Sequence, residues 1–431
     1  MCRSRDSGFS ASSAAVRSLA SLVIVLTVAA ACSNRRPVLD AESRAYVRIA
    51  VALGERDADS LDFYAGPIDL VADVRRDPPA LAVIRREARS LADRLALEMP
   101  AVAADRARAK RLAADLSAIV ARVDLLQGTR LSYDEESIAF FGLAPLPVDE
   151  SRLAGVRSRI GDLIGGEGRL VDRYAAFAAS LTVPADRLPA VMQAAIDECR
   201  RRTLAWVSLP AGEQVALEFV RDKPWSAFSR YLGDARSAVQ INTDFRLTVN
   251  QALDVACHET YPGHHTWNTL LAPRRDSTPS ERLAQLMFTP RALESEASAM
   301  LATETAFPVE DRVRFVRDRL FPVAALDPAA APRQVEVERL TAELQVVQAE
   351  LARRYLDGEL EFARAVTAFE DQALVPHAEA LVKYINQYRS YVTTYTTGRQ
   401  ALAARLAACA GPIPSVERRW RCYLADNFVT R

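Results

Sequence analysis

The sequence predicts a mostly helical protein with one short strand or hairpin, and three observations carry that expectation. Alanine, leucine and arginine are abundant while 431 residues hold only 16 glycines, a composition that favours helix. Apolar residues recur at helical spacing through most of the chain. The stretch "SAVQINTD" instead alternates apolar and polar residues, with Val239 and Ile241 on one side, as a half-buried strand does. A chain of this length buries a sizeable core and makes one large domain or two smaller ones. Lys plus Arg and Asp plus Glu both number 55, so no net charge points to nucleic acid or an anionic membrane surface as a partner.

Taken in order, the elements begin with an export signal. Arg3, Arg5 and Arg17 precede the apolar run "LASLVIVLTVAAAC", and the small residues Ala29, Ala30 and Ala31 lead into Cys32. The stretch resembles a bacterial lipobox, in which Cys32 is lipidated and becomes the first mature residue. Residues 1–31 then form the signal and 32–45 a tether. Ser33 and Asn34 bring no aspartate after the cysteine, so an outer-membrane anchor facing the periplasm is expected. Export permits disulfides among Cys199, Cys257, Cys409 and Cys422, and the last two flank the turn-forming "AGPIPS" and are suited to pair. Cys257 reads as a small residue packed in an apolar helix.

A helix is expected from Asp77 as N-cap, with Pro78 at its first position, to Pro100. A second amphipathic run reaches Gly128, "GLAPLPVDES" breaks the pattern, and further helices follow to Leu209. Residues 46–209 carry no chemical signature and read as scaffold. Residues 210–431 carry the chemistry. There the strand precedes a helix from about Leu247, another starts at Thr289 and Pro290, and long helices follow from Arg333.

"CHETYPGHH" holds three of the four histidines. In a regular helix HExxH presents two imidazoles to one zinc, because residues four apart share a face. Here Pro262 stands at the fourth position, and its missing N–H and its ring stop the helix. Gly263 permits backbone angles closed to other residues. Removing Pro262 and Gly263 in thought restores HExxH, so the pair reads as a bulge returning His264 to a metal shared with His258. His265 is the rival ligand and stays among the catalytic candidates. On a continuous helix it would share a face with His258, roughly 10 Å along the axis. Glu259 is the expected general base, since a carboxylate beside zinc can take the proton of an attacking water. Asp254, one turn before His258, either holds that histidine's second ring nitrogen or is an ordinary solvated position. Zinc needs a third ligand, and "RALESEASAMLATE" offers Glu294 and Glu296 at equal claim on periodicity.

"HETYPGHH" resembles the HExxPGHH signature of a large bacterial family of zincin-like, mostly helical metallopeptidases, long filed as a domain of unknown function. "EASAMLA", from Glu296 to Ala302, is a looser likeness of the family's second motif, EGWAxYA, with Ala for Gly and Leu301 for Tyr. The resemblance runs from Trp225 to Gly398. It implies a single zinc ion held by His258, His264 and Glu296, and short peptides as substrate. It also implies that Val239 to Asn242 could pair with substrate backbone.

Near the C-terminus Tyr384, Tyr388, Tyr391 and Tyr395 recur at steps of four, three and four, one stripe along a helix. Most of it reads as aromatic core. The family's Tyr-x-x-Gly, here Tyr395 to Gly398, singles out Tyr395 as donor to the oxyanion of a tetrahedral intermediate, with Tyr391 in reserve. Arg389 and Arg399 nearby either hold a peptide carboxylate or are ordinary solvated charges.

Overall fold

The computed structural model describes residues 39–272, 280–412 and 414–429; the expected export signal and Cys32 lie outside them. The described residues are mostly helical. The longer helices are α1 (Asp40–Arg56), α2 (Leu81–Leu97), α3 (Ala103–Leu126), α4 (Tyr133–Phe141), α5 (Glu150–Ile164), α6 (Leu170–Ser180) and α7 (Leu188–Leu204). After the strands come α8 (Val249–Glu259), α9 (His264–Leu271), α10 (Pro290–Met300), α11 (Ala331–Glu343), α12 (Gln345–Leu356), α13 (Phe362–Ala373), α14 (Glu379–Tyr388), α15 (Arg399–Ala410) and α16 (Val416–Leu424). No helix among the described residues is long and apolar enough to cross a membrane.

Helix α1 begins inside the stretch expected to be tether, because Tyr46, Val47, Ala50 and Leu53 bury against α2 and α3. Helix α2 starts later than expected. Asp77, Pro78 and Pro79 form an extended lead-in, since a proline disfavours helical angles in the residue before it. Thr289 caps α10 with Pro290 in its first turn, as its sequence suggests.

The expected single strand is the centre of a sheet. Strand β4 (Arg236–Asn242) lies between β2 (Gln214–Val220), parallel to it, and β3 (Ala227–Gly233), antiparallel to it. A second pair joins β1 (Leu61–Tyr64) to β5 (Ala284–Leu286). Both edges of β4 are therefore taken by neighbours, so Val239 to Asn242 cannot add a substrate strand. Strand β3 is the outer member on the side of the cleft described below.

One core holds the metal-motif helix in place. It joins Val191, Met192 and Cys199 of α7, Val239 and Ile241 of β4, Leu253 and Ala256 of α8, and Trp420 and Tyr423 of α16. Cys257 is not merely packed there. It forms a disulfide with Cys199, S–S 2.04 Å, so α8 is bonded to α7 one residue before His258. Cys409 and Cys422 form a second bond across their turn.

Candidate metal centre

Helix α8 is set by a capping box, in which Thr248 and Gln251 each accept from the other's backbone N–H, and it ends at Glu259. The chain then turns through Tyr261, a cis Tyr261–Pro262 bond and Gly263. A Cβ on Gly263 would sit 1.8 Å from the carbonyl oxygen of His258, so only glycine allows the chain to fold back this tightly. The Gly263 N–H donates to Cys257 O at 3.1 Å, and α9 starts afresh at His264. The break therefore returns an imidazole to the position that an unbroken helix would have given. His264 Nε2 lies 3.1 Å from His258 Nε2, with the rings nearly perpendicular.

Glu296 on α10 meets both. Its Oε2 is 3.5 Å from His258 Nε2 and its Oε1 3.6 Å from His264 Nε2. Ligands about 2.0–2.1 Å from a tetrahedral zinc are separated by roughly 3.3 Å, close to all three of these spacings. Oε2 of Glu296 is buried without a hydrogen-bond partner, so the donor set also has an acceptor to spare. These residues fit a cation. Donor atoms of His258, Glu259 and His264 also fall within 4.8 Å of one another, but Glu259 is 3.9 Å from His258 Nε2, farther than Glu296. Glu296 is thus nearer His258 than Glu259 is. Glu294 faces elsewhere, lining a small cavity with Arg108, Arg111, Arg282 and Arg291.

Charge and burial oppose each other here. Burial works against the charged form of Glu296, yet His264 foremost, with His258 beside it, holds its carboxyl well below the usual range. Burial likewise works against His264⁺, but Glu296 beside it raises the imidazole to about 9. Glu259 is raised by its burial, partly offset by the two histidines, and it accepts a hydrogen bond from the Ser229 backbone on β3. Asp62, on β1, is raised to about 7, chiefly by burial, with His264 opposing and Glu296 and Glu259 reinforcing the rise.

His265 does not reach this group. Its side chain is fully buried on the opposite side of the turn, where Nε2 donates to Glu213 at 3.0 Å and Nδ1 lies 2.8 Å from the Ser237 hydroxyl. Glu213 also accepts from Tyr261 at 2.6 Å and Arg200 at 2.8 Å. Burial alone would raise it, but these donors, His265 foremost, hold it down to about 2. His265 thus braces the Pro-Gly turn and is not brought to His258, His264 and Glu296. Tyr423 of α16 braces the same turn from another side, its hydroxyl donating to Pro262 O at 3.3 Å.

The tyrosine stripe lines the site but is not one helix. Helix α14 ends at Tyr388, Arg389 takes φ 52°, and a short turn and a wide turn carry Tyr391 and Tyr395 on to α15. Buried Glu136 of α4 fixes this break, accepting from Arg389 Nε at 2.7 Å and from Ser390 N–H and Oγ at 3.1 and 2.8 Å. Tyr391 donates to Glu296 Oε1 at 3.0 Å, and Ser295 Oγ lies 3.2 Å from His264 Nδ1. Tyr395 meets Tyr384 hydroxyl to hydroxyl at 3.4 Å. Burial, then Glu296, pushes the phenols of Tyr391 and Tyr395 well above their ordinary value, so both stay protonated donors. A Cβ on Gly398 would come within 3.0 Å of Leu293, so glycine lets this turn press against α10.

Three expected contacts are absent. Asp254 binds Arg312 at 2.5 Å, not His258. Arg389 is held by Glu136 and Arg399 by Glu304, so neither guanidinium is presented to a substrate carboxylate. Asp62, Glu213, Glu136 and Tyr423 were not singled out from sequence. Each comes from an element distant in the chain, and no local spacing marks it.

The donors open into a cleft of about 210 Å3 that faces solvent, lined also by Trp225, Phe228, Tyr384, Tyr388, Tyr391 and Tyr395. No protein-family model and no curated protein sequence matches the chain. Several solved structures are similar in outline. A candidate lipoprotein from Colwellia psychrerythraea shares 12% identity over 83% of this chain and 72% of its own, with a TM-score of 0.46. Another, of unknown function, from Shewanella oneidensis shares 14% over 83% and 76%, TM-score 0.43. The M32 carboxypeptidase of Deinococcus radiodurans R1 shares 13% over 90% and 89%, TM-score 0.42.

Proposed function

We propose that this protein is a zinc-dependent hydrolase of short peptides. The observation that carries the reading is the meeting of His258 Nε2, His264 Nε2 and the Glu296 carboxylate at 3.1–3.6 Å in the wall of a solvent-open cleft. Those three residues would hold the metal, which when bound polarises a carbonyl and makes a water acidic near neutral pH. Glu259, with a carboxylate oxygen within 4.8 Å of donor atoms of His258 and His264, would be the base for that water and is not needed as a ligand. Its burial-raised carboxyl is the better proton acceptor for it, taking a proton from water and passing it to the leaving amine. Tyr395, whose hydroxyl has only the long contact with Tyr384 among the described residues, donates to the oxygen that becomes negative as the scissile carbonyl is attacked. Tyr391 keeps Glu296 oriented.

The test is Glu259→Gln, assayed for metal content and for hydrolysis of a mixed peptide library. Zinc stays and turnover falls by about a hundredfold to ten-thousandfold. Near-normal turnover in that variant sinks the assignment of the base. The leader before Cys32 supports export and lipid anchoring at the outer membrane, and two disulfides fit an oxidising compartment. Labelled lipid entering the wild type but not Cys32→Ser checks the anchor; label in both, or in neither, removes it.

A further inference from the structure

The cleft has a charge character that the hydrolase reading does not use. Its walls include Asp59, Asp62, Glu259 and Glu296, and among the described residues no lysine or arginine lines it. Glu296 and Glu259 are accounted for by the metal centre, and Asp59 accepts from Gln387 at 2.9 Å. Asp62 is different. It lines the cleft from β1, and its Oδ1 is buried with no hydrogen-bond partner among the described residues. A buried carboxylate oxygen without a partner costs free energy unless something arrives to satisfy it.

The aromatic residues that line the same cleft favour the same kind of ligand. Trp225 and Phe228 lie with ring centroids 5.5 Å apart, and Tyr384 and Tyr388 with centroids 4.5 Å apart. Aromatic faces attract ammonium and guanidinium groups and offer nothing comparable to a carboxylate. The guanidiniums that might have received a carboxylate, Arg389 and Arg399, are in ion pairs of their own.

We propose that the cleft selects substrates carrying a positive charge, with Asp62 as the anionic partner and the aromatic walls as its surround. The inference rests on the peptidase reading for its substrate class but on separate residues for its recognition. The cation is an alkylammonium or guanidinium, supplied either by a free amino end or by a lysine or arginine side chain. Asp62 is thus a specificity residue, and a peptide is admitted by its cationic group more than by its carboxyl end.

The experiment compares wild type with Asp62→Asn, which keeps the size and shape of the side chain and removes the charge. Zinc-loaded protein is given matched tetrapeptides with free or acetylated amino ends, each bearing Lys, norleucine or Glu at one internal position. Binding of the same peptides to metal-free protein is measured by calorimetry. The expected result is at least a tenfold preference for cationic peptides. Asp62→Asn should lose it mainly through KM and through the calorimetric affinity, with neutral peptides little changed. Loss of preference on acetylation identifies the amino end as the source, and loss on replacing Lys identifies the side chain. If charged and neutral peptides bind and are cut alike, charge selection is overturned while the hydrolase reading survives. An equal loss for every peptide in Asp62→Asn also overturns it, because Asp62 would then serve the metal centre. If cationic peptides bind, lose binding in the variant and are never cut, the cation site stands and the hydrolase reading falls.

Discussion

The two sides of the Tyr261–Gly263 turn are built from one nine-residue stretch and do opposite work. On the cleft side His258 and His264 present Nε2 atoms to each other and to Glu296, with an unpartnered carboxylate oxygen between α8, α9 and α10. On the buried side Tyr261 and His265 are saturated by Glu213, and Ser237 and Arg200 complete the set. Adjacent histidines fall on different sides because consecutive residues of a helix are turned about 100° from each other. What the difference teaches is that polar residues in a motif are told apart by whether their hydrogen-bonding capacity is already used. The cleft side has capacity left for a ligand and the buried side has none.

The sharpest way to break that comparison is to exchange the fates of the two histidines. His264→Ala should lose zinc, and with it all measurable hydrolysis, because a mononuclear site needs its three protein ligands together. His265→Ala should still bind zinc at near one ion per chain but melt at a lower temperature, since it leaves a buried carboxylate short of a donor. Metal analysis and calorimetric melting of the two variants decide this. Zinc lost from His265→Ala and kept in His264→Ala would falsify the assignment of the two sides.

The disulfides sharpen it further, because each ends one residue from a group on one side. Cys257 precedes His258, whereas Cys422 precedes Tyr423, which holds the Pro262 carbonyl. In the chain-entropy account a closed loop with separation 58 stabilises by about 4 kcal/mol and one with separation 13 by about 3 kcal/mol. The paired serine variants at Cys199 and Cys257 should therefore lose more stability than those at Cys409 and Cys422. They should also weaken zinc binding more, because α8 is freed beside a ligand. Denaturant titrations and competitive zinc chelation measure the two effects. Equal stability losses, or weaker zinc binding only in the Cys409 and Cys422 variants, would show that α8 needs no covalent tie to α7.

How much of this could be read from the chain alone follows the same division. The helical class, the break at Pro262 and the need for Gly263 are local, and local spacing announced them. His264 was the histidine named as ligand because deleting two residues restores a known spacing, an argument that needs no partner from elsewhere. Glu296 could not be chosen over Glu294 by periodicity, since both flank the apolar face of α10; the family resemblance pointed to Glu296, and in the fold the two imidazoles and the arginine-lined cavity separate the pair. Cys257 was read as a packed residue because its partner Cys199 is 58 positions away. Asp254, Arg389 and Arg399 were given functional roles for want of visible partners, and Arg312, Glu136 and Glu304 supply those partners across the fold. Strands β1 and β2 were missed for a different reason. Four residues, and a strand whose exposed positions include Gln214, Ala216 and Phe219, give little alternation to read.

The smallest expected effects separate two tyrosines within the cleft side itself. Tyr391 donates to Glu296, a metal-ligand candidate, whereas among the described residues Tyr395 has only the 3.4 Å contact with Tyr384. If Tyr391 orients a ligand, Tyr391→Phe should weaken zinc affinity by about tenfold to a hundredfold, as loss of such an outer partner does, and restore turnover once zinc is saturating. If Tyr395 meets the developing oxyanion, Tyr395→Phe should bind zinc normally and lose about a hundredfold in kcat, roughly 3 kcal/mol of barrier, at any zinc concentration. Both phenols are buried, so each variant leaves the ring in place and its melting temperature should move little. The measurement is kcat against free zinc for each protein. Excess zinc rescues one variant and not the other if the two hydroxyls work on different atoms. Rescue of both would make Tyr395 a second support for the metal ligands, and rescue of neither would put both tyrosines on the reacting carbonyl.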